Sequence, residues 1–263
     1  MPYELVEFTV RNHVAWITID RPKAFNALNL KAMQEIFDIA NRCANDKAVR
    51  AAVLTGRGDK AFCAGGDVAA FASDPDNVQV LLNEMTAYLH TAIARFARMP
   101  APLIGAINGV AAGAGLSMSA CCDLAIAAEH ARFTSAYTQI GLSPDGSGTW
   151  FLSRIIGSRR ATELFMTNRT ITAAEALDWG LVNQVVAGEK LIDTVTELAE
   201  RLARGPTLAH RNIKKLVQMS FNDSLESQME RETRSIVELS RTADGLEGVK
   251  AFTEKRKPDF KGE

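Results

Sequence analysis

The sequence has few cysteines and no surplus of charge of either sign. Its 263 residues include only four cysteines, and their spacing is not that of metal ligands. Lysine and arginine number 30 against 31 aspartates and glutamates, which argues against a binder of nucleic acid or anionic membranes. The N-terminal segment MPYELVEFTV also lacks the basic and then apolar order of a secretory signal. We therefore expect a cytoplasmic protein with free thiols and no metal, whose partner is a small molecule or another copy of itself.

Charge is also missing from one long stretch, because no charged residue occurs from Met99 to Cys122. The stretch is not typical of a membrane helix, since it is rich in alanine, glycine and serine and has two prolines near its start. Its glycines also occur in the reverse order of the G-x-G-x-x-G dinucleotide fingerprint. We predict a buried strand over 102–108, a glycine-rich turn and a short helix from about Ala114. The free N–H groups of such a helix start can hold an oxygen that gains negative charge, although close packing alone would also require glycine.

The remaining pattern predicts an α/β fold with a helical C-terminal part. Thr172 and Glu175 have the spacing of a capping box, and Gly180 is placed to end the helix that follows them. Beyond about residue 190 the pattern is helical throughout. Strands are predicted over 3–10, 14–20, 51–56, 123–127 and 131–134, and helices over about 29–45, 78–98 and 149–157.

Four segments carry a resemblance to a known family. They are ITIDRPKAFNALN (17–29), VLTGRGDKAFCAGGD (53–67), PLIGAINGVAAGAG (102–115) and MTNRTITAAEALDWGLVNQVV (166–186). Together they resemble the crotonase superfamily, also called the enoyl-CoA hydratase/isomerase family, over nearly the whole chain.

The resemblance implies a fold, a substrate class and an assembly. The fold would be a crotonase-type spiral of β-β-α turns over residues 1–200, followed by a helical trimerisation region over 201–263. The substrate would be an acyl-CoA thioester, so that coenzyme A enters as part of the substrate and no separate cofactor is needed. The assembly would be a homotrimer or a dimer of trimers.

The resemblance also implies an oxyanion hole made of two backbone N–H groups. By position these belong to Gly66, in the A-G-x-D motif, and to Ala114, in the middle of the glycine triplet of relatives. Alanine in place of glycine at 114 changes little, because a backbone donor does not depend on the side chain. Charge that develops on a thioester oxygen would be stabilised between the two donors.

Coenzyme A would lie along two loops and the C-terminal tail if the family's contacts are carried over. The tail segment FTEKRKPDF is also a basic run that solvent alone would explain. The residues implied are Lys23, Ala24, Ala64, Asp67 and Val68 in the loops, and Phe252 and Lys255 in the tail.

The catalytic side chains differ from those of the family's hydratases, which use two glutamates to activate water. At those positions this chain has Ser117 and Tyr137, and neither is a general base near neutral pH. An acid remains at Asp145, in the sequence GLSPDG, where isomerase-like members have an aspartate over the reacting carbons. One carboxylate suffices to take a proton from C2 of an enoyl thioester and return it at C4. The resemblance therefore favours double-bond isomerisation.

A second branch of the family uses the same layout for other chemistry. Aryl-CoA dehalogenases, including 4-chlorobenzoyl-CoA dehalogenase, have a nucleophilic aspartate at the position of Asp145 and a water-activating histidine at that of His90. Gly66, Leu89 and Tyr137 replace the aromatic pocket residues of that enzyme, which favours an alkenyl or epoxide-derived acyl group. Residual hydratase activity and a non-catalytic acyl-CoA-binding role remain alternatives, since Pro-Asp-Gly is also a common turn.

Overall fold

Two mainly parallel β-sheets, covered by helices, form the computed structural model, which describes residues 3–263. Its strands are β1 (Val6–Arg11), β2 (Val14–Ile19), β3 (Ala51–Gly56), β4 (Ala61–Cys63), β5 (Leu103–Ile107), β6 (Val110–Ala112), β7 (Leu124–Ala128), β8 (Arg132–Thr134), β9 (Ile171–Thr172) and β10 (Gln184–Val186). Its α-helices are α1 (Leu30–Asn45), α2 (Val68–Ser73), α3 (Val78–Arg98), α4 (Ala114–Cys121), α5 (Gly148–Ile155), α6 (Ser158–Thr167), α7 (Ala173–Asp178), α8 (Leu191–Ala203), α9 (Thr207–Met219), α10 (Leu225–Leu239) and α11 (Ala243–Thr253).

Successive turns of the chain add one strand to each sheet. The larger sheet has the order β1-β2-β3-β5-β7-β10, and the smaller has the order β4-β6-β8-β9. Thus β3 is followed by β4, β5 by β6 and β7 by β8, and at least one helix follows each pair. Pairing is parallel except in the β1–β2 hairpin and between β8 and β9. The predicted spiral of β-β-α turns is confirmed.

The larger sheet is buried on both faces by apolar side chains. Ile17 and Leu54 point to the face that α1 and α3 cover, whereas their neighbours Trp16 and Val53 point to the other face and pack with Leu191 of α8. Successive residues of a strand face opposite sides, so both sides of these strands must be apolar. This double burial makes the sheet a rigid support for the loops at the ends of its strands.

Local signals in the sequence place several element boundaries correctly. Asn29 caps α1, since its side chain accepts a hydrogen bond from the backbone N–H three residues on. The capping box is confirmed, because Thr172 and Glu175 each accept from the other's backbone N–H. The first strand begins at Val6, later than predicted. The buried carboxylate of Glu35 accepts hydrogen bonds from the backbone N–H groups of Glu4 and Leu5, which lie before the strand.

The segment between β3 and α3 contains short elements where the sequence predicted a loop. It includes the three-residue strand β4, the helix α2 and a single 3₁₀ turn over Pro75–Asn77. A strand of three residues is too short to show alternation. It exists because it pairs with β6, which comes from a distant part of the chain.

The uncharged run is divided among β5, β6 and α4 in the protein interior. The predicted buried strand and the helix start at Ala114 are therefore confirmed. Over residues 3–263, no helix combines the length and apolar character that crossing a bilayer would require.

Lys214 attaches the C-terminal helices to this core through a buried ion pair. Its ammonium group lies 2.7 Å from the carboxylate of Asp123 and donates hydrogen bonds to the carbonyls of Phe96 and Ala101. Lys214 is only 8% exposed, and burial raises the pKa of Asp123 more than the lysine lowers it. Helix α9 is thereby fixed against the C-terminal end of α3.

Replacing Lys214→Met should reduce the free energy of unfolding by about 3–5 kcal/mol, because Asp123 would remain buried without its cation. Urea unfolding followed by tryptophan fluorescence measures this change. The matched control is Lys215→Met at the exposed neighbouring position, for which we expect a change within about 0.5 kcal/mol. Equal stability of the two variants would contradict the anchoring role of Lys214.

Candidate active site

Two backbone turns approach each other where β4 and β6 end. The strands are parallel neighbours, so their carboxyl ends lie at the same edge of the smaller sheet. Gly65 and Gly113 both have positive φ angles, 97° and 53°, which favour glycine. A methyl group placed on Gly65 would lie 3.3 Å from the amide nitrogen of Ala114. The two turns are therefore in direct contact, and a side chain at Gly65 would be strained.

Each turn presents a backbone N–H that has no acceptor within residues 3–263. The loop of Gly66 is held by Leu28, which donates to the carbonyl of Gly65 and accepts from the N–H of Asp67. This pattern leaves the N–H of Gly66 free. Ala114 is the first residue of α4, so its N–H has no intrahelical partner. Two donors in adjacent turns can hold one oxygen that becomes negatively charged.

Asp145 lies in a turn that packs against the start of α4. Its carboxylate Oδ1 accepts a hydrogen bond of 2.5 Å from the hydroxyl of Tyr137. Its backbone carbonyl accepts a hydrogen bond of 2.8 Å from the hydroxyl of Ser117, one turn after Ala114. The ring of Tyr137 would also lie 4.0 Å from a methyl group on Gly113. These contacts bring Asp145 and Tyr137 beside the turn that carries Ala114.

Tyr137 acts as a hydrogen-bond donor to the carboxylate. Burial raises the pKa of Tyr137 well above its ordinary value, and the neighbouring charge of Asp145 raises it further. The phenol therefore stays protonated near neutral pH, and its proton points to Oδ1. The second carboxylate oxygen, Oδ2, is left for other chemistry.

His90 holds the same turn from α3. Its Nε2 accepts a hydrogen bond of 3.0 Å from the backbone N–H of Gly146 and lies 3.7 Å from Oδ2 of Asp145. A ring nitrogen can accept from an N–H only when it carries no proton, so this arrangement requires neutral His90 with its proton on Nδ1. The imidazole here positions the residue that follows Asp145.

The two loops expected to bind coenzyme A lie together. Lys23 and Ala24 belong to a 3₁₀ turn over Pro22–Ala24. The N–H of Ala64 donates to the carbonyl of Phe25, which directly follows this turn. Val68 begins α2 and is half exposed. Asp67 forms an ion pair of 2.8 Å with Arg21 across the two loops.

The two tail residues are not brought to these loops within one chain. Phe252 is 85% exposed at the end of α11, and Lys255 follows that helix. Over residues 3–263, no hydrogen bond or ion pair joins either of them to the loops around Lys23 or Asp67. Helix α11 instead packs on the last residues of the chain. Asp244, in the first turn of this helix, accepts hydrogen bonds from the backbone N–H groups of Lys261 and Gly262.

Sequence reasoning missed two buried asparagines that join the loops of the site. Asn26 donates to the carbonyls of Arg57 and Ala61 and accepts from the N–H of Arg21. Asn108 donates to the carbonyls of Gly56 and two further residues of the β3–β4 segment and accepts from the Gly56 N–H. Asn108 could have been identified from the sequence, because it is a polar residue inside an uncharged run.

Comparisons with known proteins find one family over nearly the whole chain. Residues 9–263 match the enoyl-CoA hydratase/isomerase family. The chain is 35% identical to the 1,2-epoxyphenylacetyl-CoA isomerase of Escherichia coli K12, over 98% of this chain and 99% of that protein. It is 37% identical to 4-chlorobenzoyl coenzyme A dehalogenase-2 of Arthrobacter sp, over 85% of this chain and 81% of that protein. Among solved structures, an enoyl-CoA hydratase from Bacillus anthracis has a TM-score of 0.93 at 34% identity, over 99% of this chain and 100% of that chain.

Replacing Gly115→Ala should destabilise the protein and separate the two donor turns, because the new methyl group would lie 2.0 Å from the carbonyl oxygen of Cys63. We expect a loss of about 2–4 kcal/mol in the free energy of unfolding, typical of severe overpacking. Chemical denaturation measures it. Gly248→Ala in α11 is the matched helical control, since its methyl group meets only ordinary contacts and alanine favours a helix. Similar stability of the two variants would contradict close contact between α4 and β4.

Proposed function

Since this chain belongs to the enoyl-CoA hydratase/isomerase family of acyl-CoA enzymes, we propose that it shifts the double bond of an enoyl thioester. The reaction converts a 3-enoyl-CoA to the 2-enoyl-CoA, or isomerises a related ring or epoxide acyl-CoA. One observation carries this proposal. A single carboxylate, that of Asp145, lies beside two backbone N–H groups that have no acceptor within residues 3–263, and its Oδ2 accepts no hydrogen bond from Tyr137.

The mechanism follows from the positions of these groups. The thioester oxygen accepts hydrogen bonds from the N–H groups of Gly66 and Ala114, which makes the C2 proton more acidic. Oδ2 of Asp145 takes that proton, and the electron pair passes into the dienolate. Tyr137 keeps its proton and stabilises the carboxylate through Oδ1. The same carboxyl group then returns the proton at C4, so the double bond moves to C2 and water is not consumed.

Hydration is disfavoured by the state of the two residues at the hydratase glutamate positions. The hydroxyl of Ser117 already donates to the carbonyl of Asp145. Tyr137 is protonated because its pKa is raised, so it cannot activate water as a base near neutral pH. Neither residue offers the carboxylate that two-glutamate hydration needs.

Dehalogenation of an aryl-CoA is a second candidate, with Asp145 as nucleophile and His90 as base. It is favoured by the 3.7 Å approach of His90 to Oδ2 and by the similarity to the Arthrobacter dehalogenase. Against it, the lone pair of Nε2 is occupied by the N–H of Gly146. To act as a base toward water, His90 would first have to lose the hydrogen bond from Gly146.

We extend the proposal to a cytoplasmic homotrimer or dimer of trimers that takes coenzyme A only as part of its substrate. The helices α9 to α11 leave many large apolar side chains in solvent, which is uncommon on a monomer surface. They include Ile213, Val217, Leu225, Ile236, Leu246 and Val249. Contact with other copies through these helices would cover them.

Asp145→Asn should abolish turnover and preserve binding. The asparagine can still accept from Tyr137 but cannot carry a proton, and loss of an acid–base group costs about 10²–10⁴ in rate. The assay mixes a 3-enoyl-CoA with the enzyme and follows absorbance of the conjugated 2-enoyl thioester, with binding measured by calorimetry. Asp76→Asn on the exposed 3₁₀ turn is the control. Full activity of Asp145→Asn would contradict the assignment, whereas a wild-type protein that binds the thioester without converting it would support a binding role.

His90→Gln separates the two candidate reactions. Glutamine can still accept the N–H of Gly146 through its side-chain oxygen, so an isomerase should keep activity within about tenfold. A dehalogenase should lose turnover of 4-chlorobenzoyl-CoA, because glutamine cannot act as a base. Both substrates are assayed with wild type and variant. Wild-type release of chloride that is lost in His90→Gln would favour the dehalogenase and overturn isomerisation as the main reaction.

A further inference from the structure

A cavity of about 1060 Å³ lies between α3, α5, α9 and α10, directly beyond the turn of Asp145. Ser147, two residues after Asp145, forms part of its wall. Ile93 forms another part, and its Cδ1 atom would lie 3.3 Å from a methyl group on Gly146. The cavity therefore borders the turn that carries the proposed acid–base group.

The character of the cavity wall changes with distance from this turn. Close to it the wall is apolar, formed by Ile93 and Ala94 of α3 and by Trp150 and Phe151 of α5. Farther along α3 the wall reaches Arg98. Arg98 comes eight positions after His90 in α3, which corresponds to about 12 Å along the helix axis at 1.5 Å per residue. Along α3, apolar side chains of the wall therefore lie nearer the turn and a cation lies farther from it.

Basic residues outnumber acidic ones in the far part of the cavity wall. One acidic residue, Glu238, lines it, together with six basic residues: Arg98, Arg211, Lys214, Lys215, Arg231 and Arg234. Four of the six already have carboxylate partners within the chain. Arg98 and Lys215 form no ion pair within residues 3–263. Two cations without partners, in a concave site, favour an anionic group of a ligand.

We propose that this cavity receives the distal end of the acyl group and that this end carries a carboxylate; the proposal rests on the function proposed above. The substrate class is then the monothioester of coenzyme A with an unsaturated dicarboxylic acid. The apolar wall accommodates the methylene chain or ring, and Arg98 and Lys215 bind the terminal carboxylate. A carboxylate pairs well with a guanidinium through two parallel hydrogen bonds.

Binding tests the cavity without requiring turnover. Calorimetry compares the saturated monothioesters of octanedioic and dodecanedioic acid with their terminal methyl esters on the wild-type protein. We expect one of the diacid thioesters to bind at least about tenfold more tightly than its ester, equivalent to about 1.4 kcal/mol. The double variant Arg98→Gln/Lys215→Gln should lose this preference. Arg241→Gln, an exposed arginine outside the cavity lining, should keep it.

Turnover separates this proposal from the proposed function. A short neutral 3-enoyl-CoA, which has no terminal carboxylate, tests isomerisation alone, and its conversion should be equal in the wild type and in Arg241→Gln. If that substrate is inert but the binding preference holds, the proposed reaction fails and the carboxylate site stands. Equal binding of diacid thioester and ester, or a preference that survives in the double variant, would overturn the site. Binding of free octanedioate with no thioester preference would also overturn it, because the cavity would then serve a separate anion.

Discussion

The parallel pairing of β4 with β6 is the constraint on which the site depends. It places the turns at Gly65 and Gly113 side by side, and so brings together two N–H groups that are far apart in sequence. The pairing is short and irregular, and hydrogen bonds from a side chain outside the two strands stabilise it. Asn108, which lies between β5 and β6, is hydrogen-bonded to the segment from Gly56 to Ala61. These bonds fix the distance between β4 and β6 where each strand enters its turn.

The turn of Asp145 is held at three points, each from a different element. Ser117 of α4 binds the carbonyl of Asp145, Tyr137 binds its carboxylate, and His90 of α3 binds the next N–H. Because the carboxylate of Asp145 and the peptide group that follows it are both held, the position of the carboxylate is fixed within the folded chain. For the proposed reaction, such preorganisation would lower the cost of reaching the transition state.

The same helices connect the site to the C-terminal region. Helix α3 carries His90 just past its middle, and near its C-terminal end lies the buried pair of Lys214 and Asp123 that holds α9. The basic cavity lies between these two points. Its shape therefore depends on the C-terminal helices, whereas the two N–H donors are positioned by the smaller sheet, the start of α4 and the contacts of Leu28.

The sequence by itself determined the elements whose signals are local. Apolar periodicity, the cap at Asn29 and the capping box at Thr172 placed the long helices and strands. The motifs around Gly66 and Ala114, with the segments 17–29 and 166–186, indicated the family. Only the tertiary structure decided the rest: the pairing that makes β4 a strand, the neutral state required of His90, the partner of Asp67 and the separation of Phe252 from the loops. Local patterns report which face of an element is apolar. Hydrogen bonds and charges between distant residues depend on distances that exist only after the chain has folded.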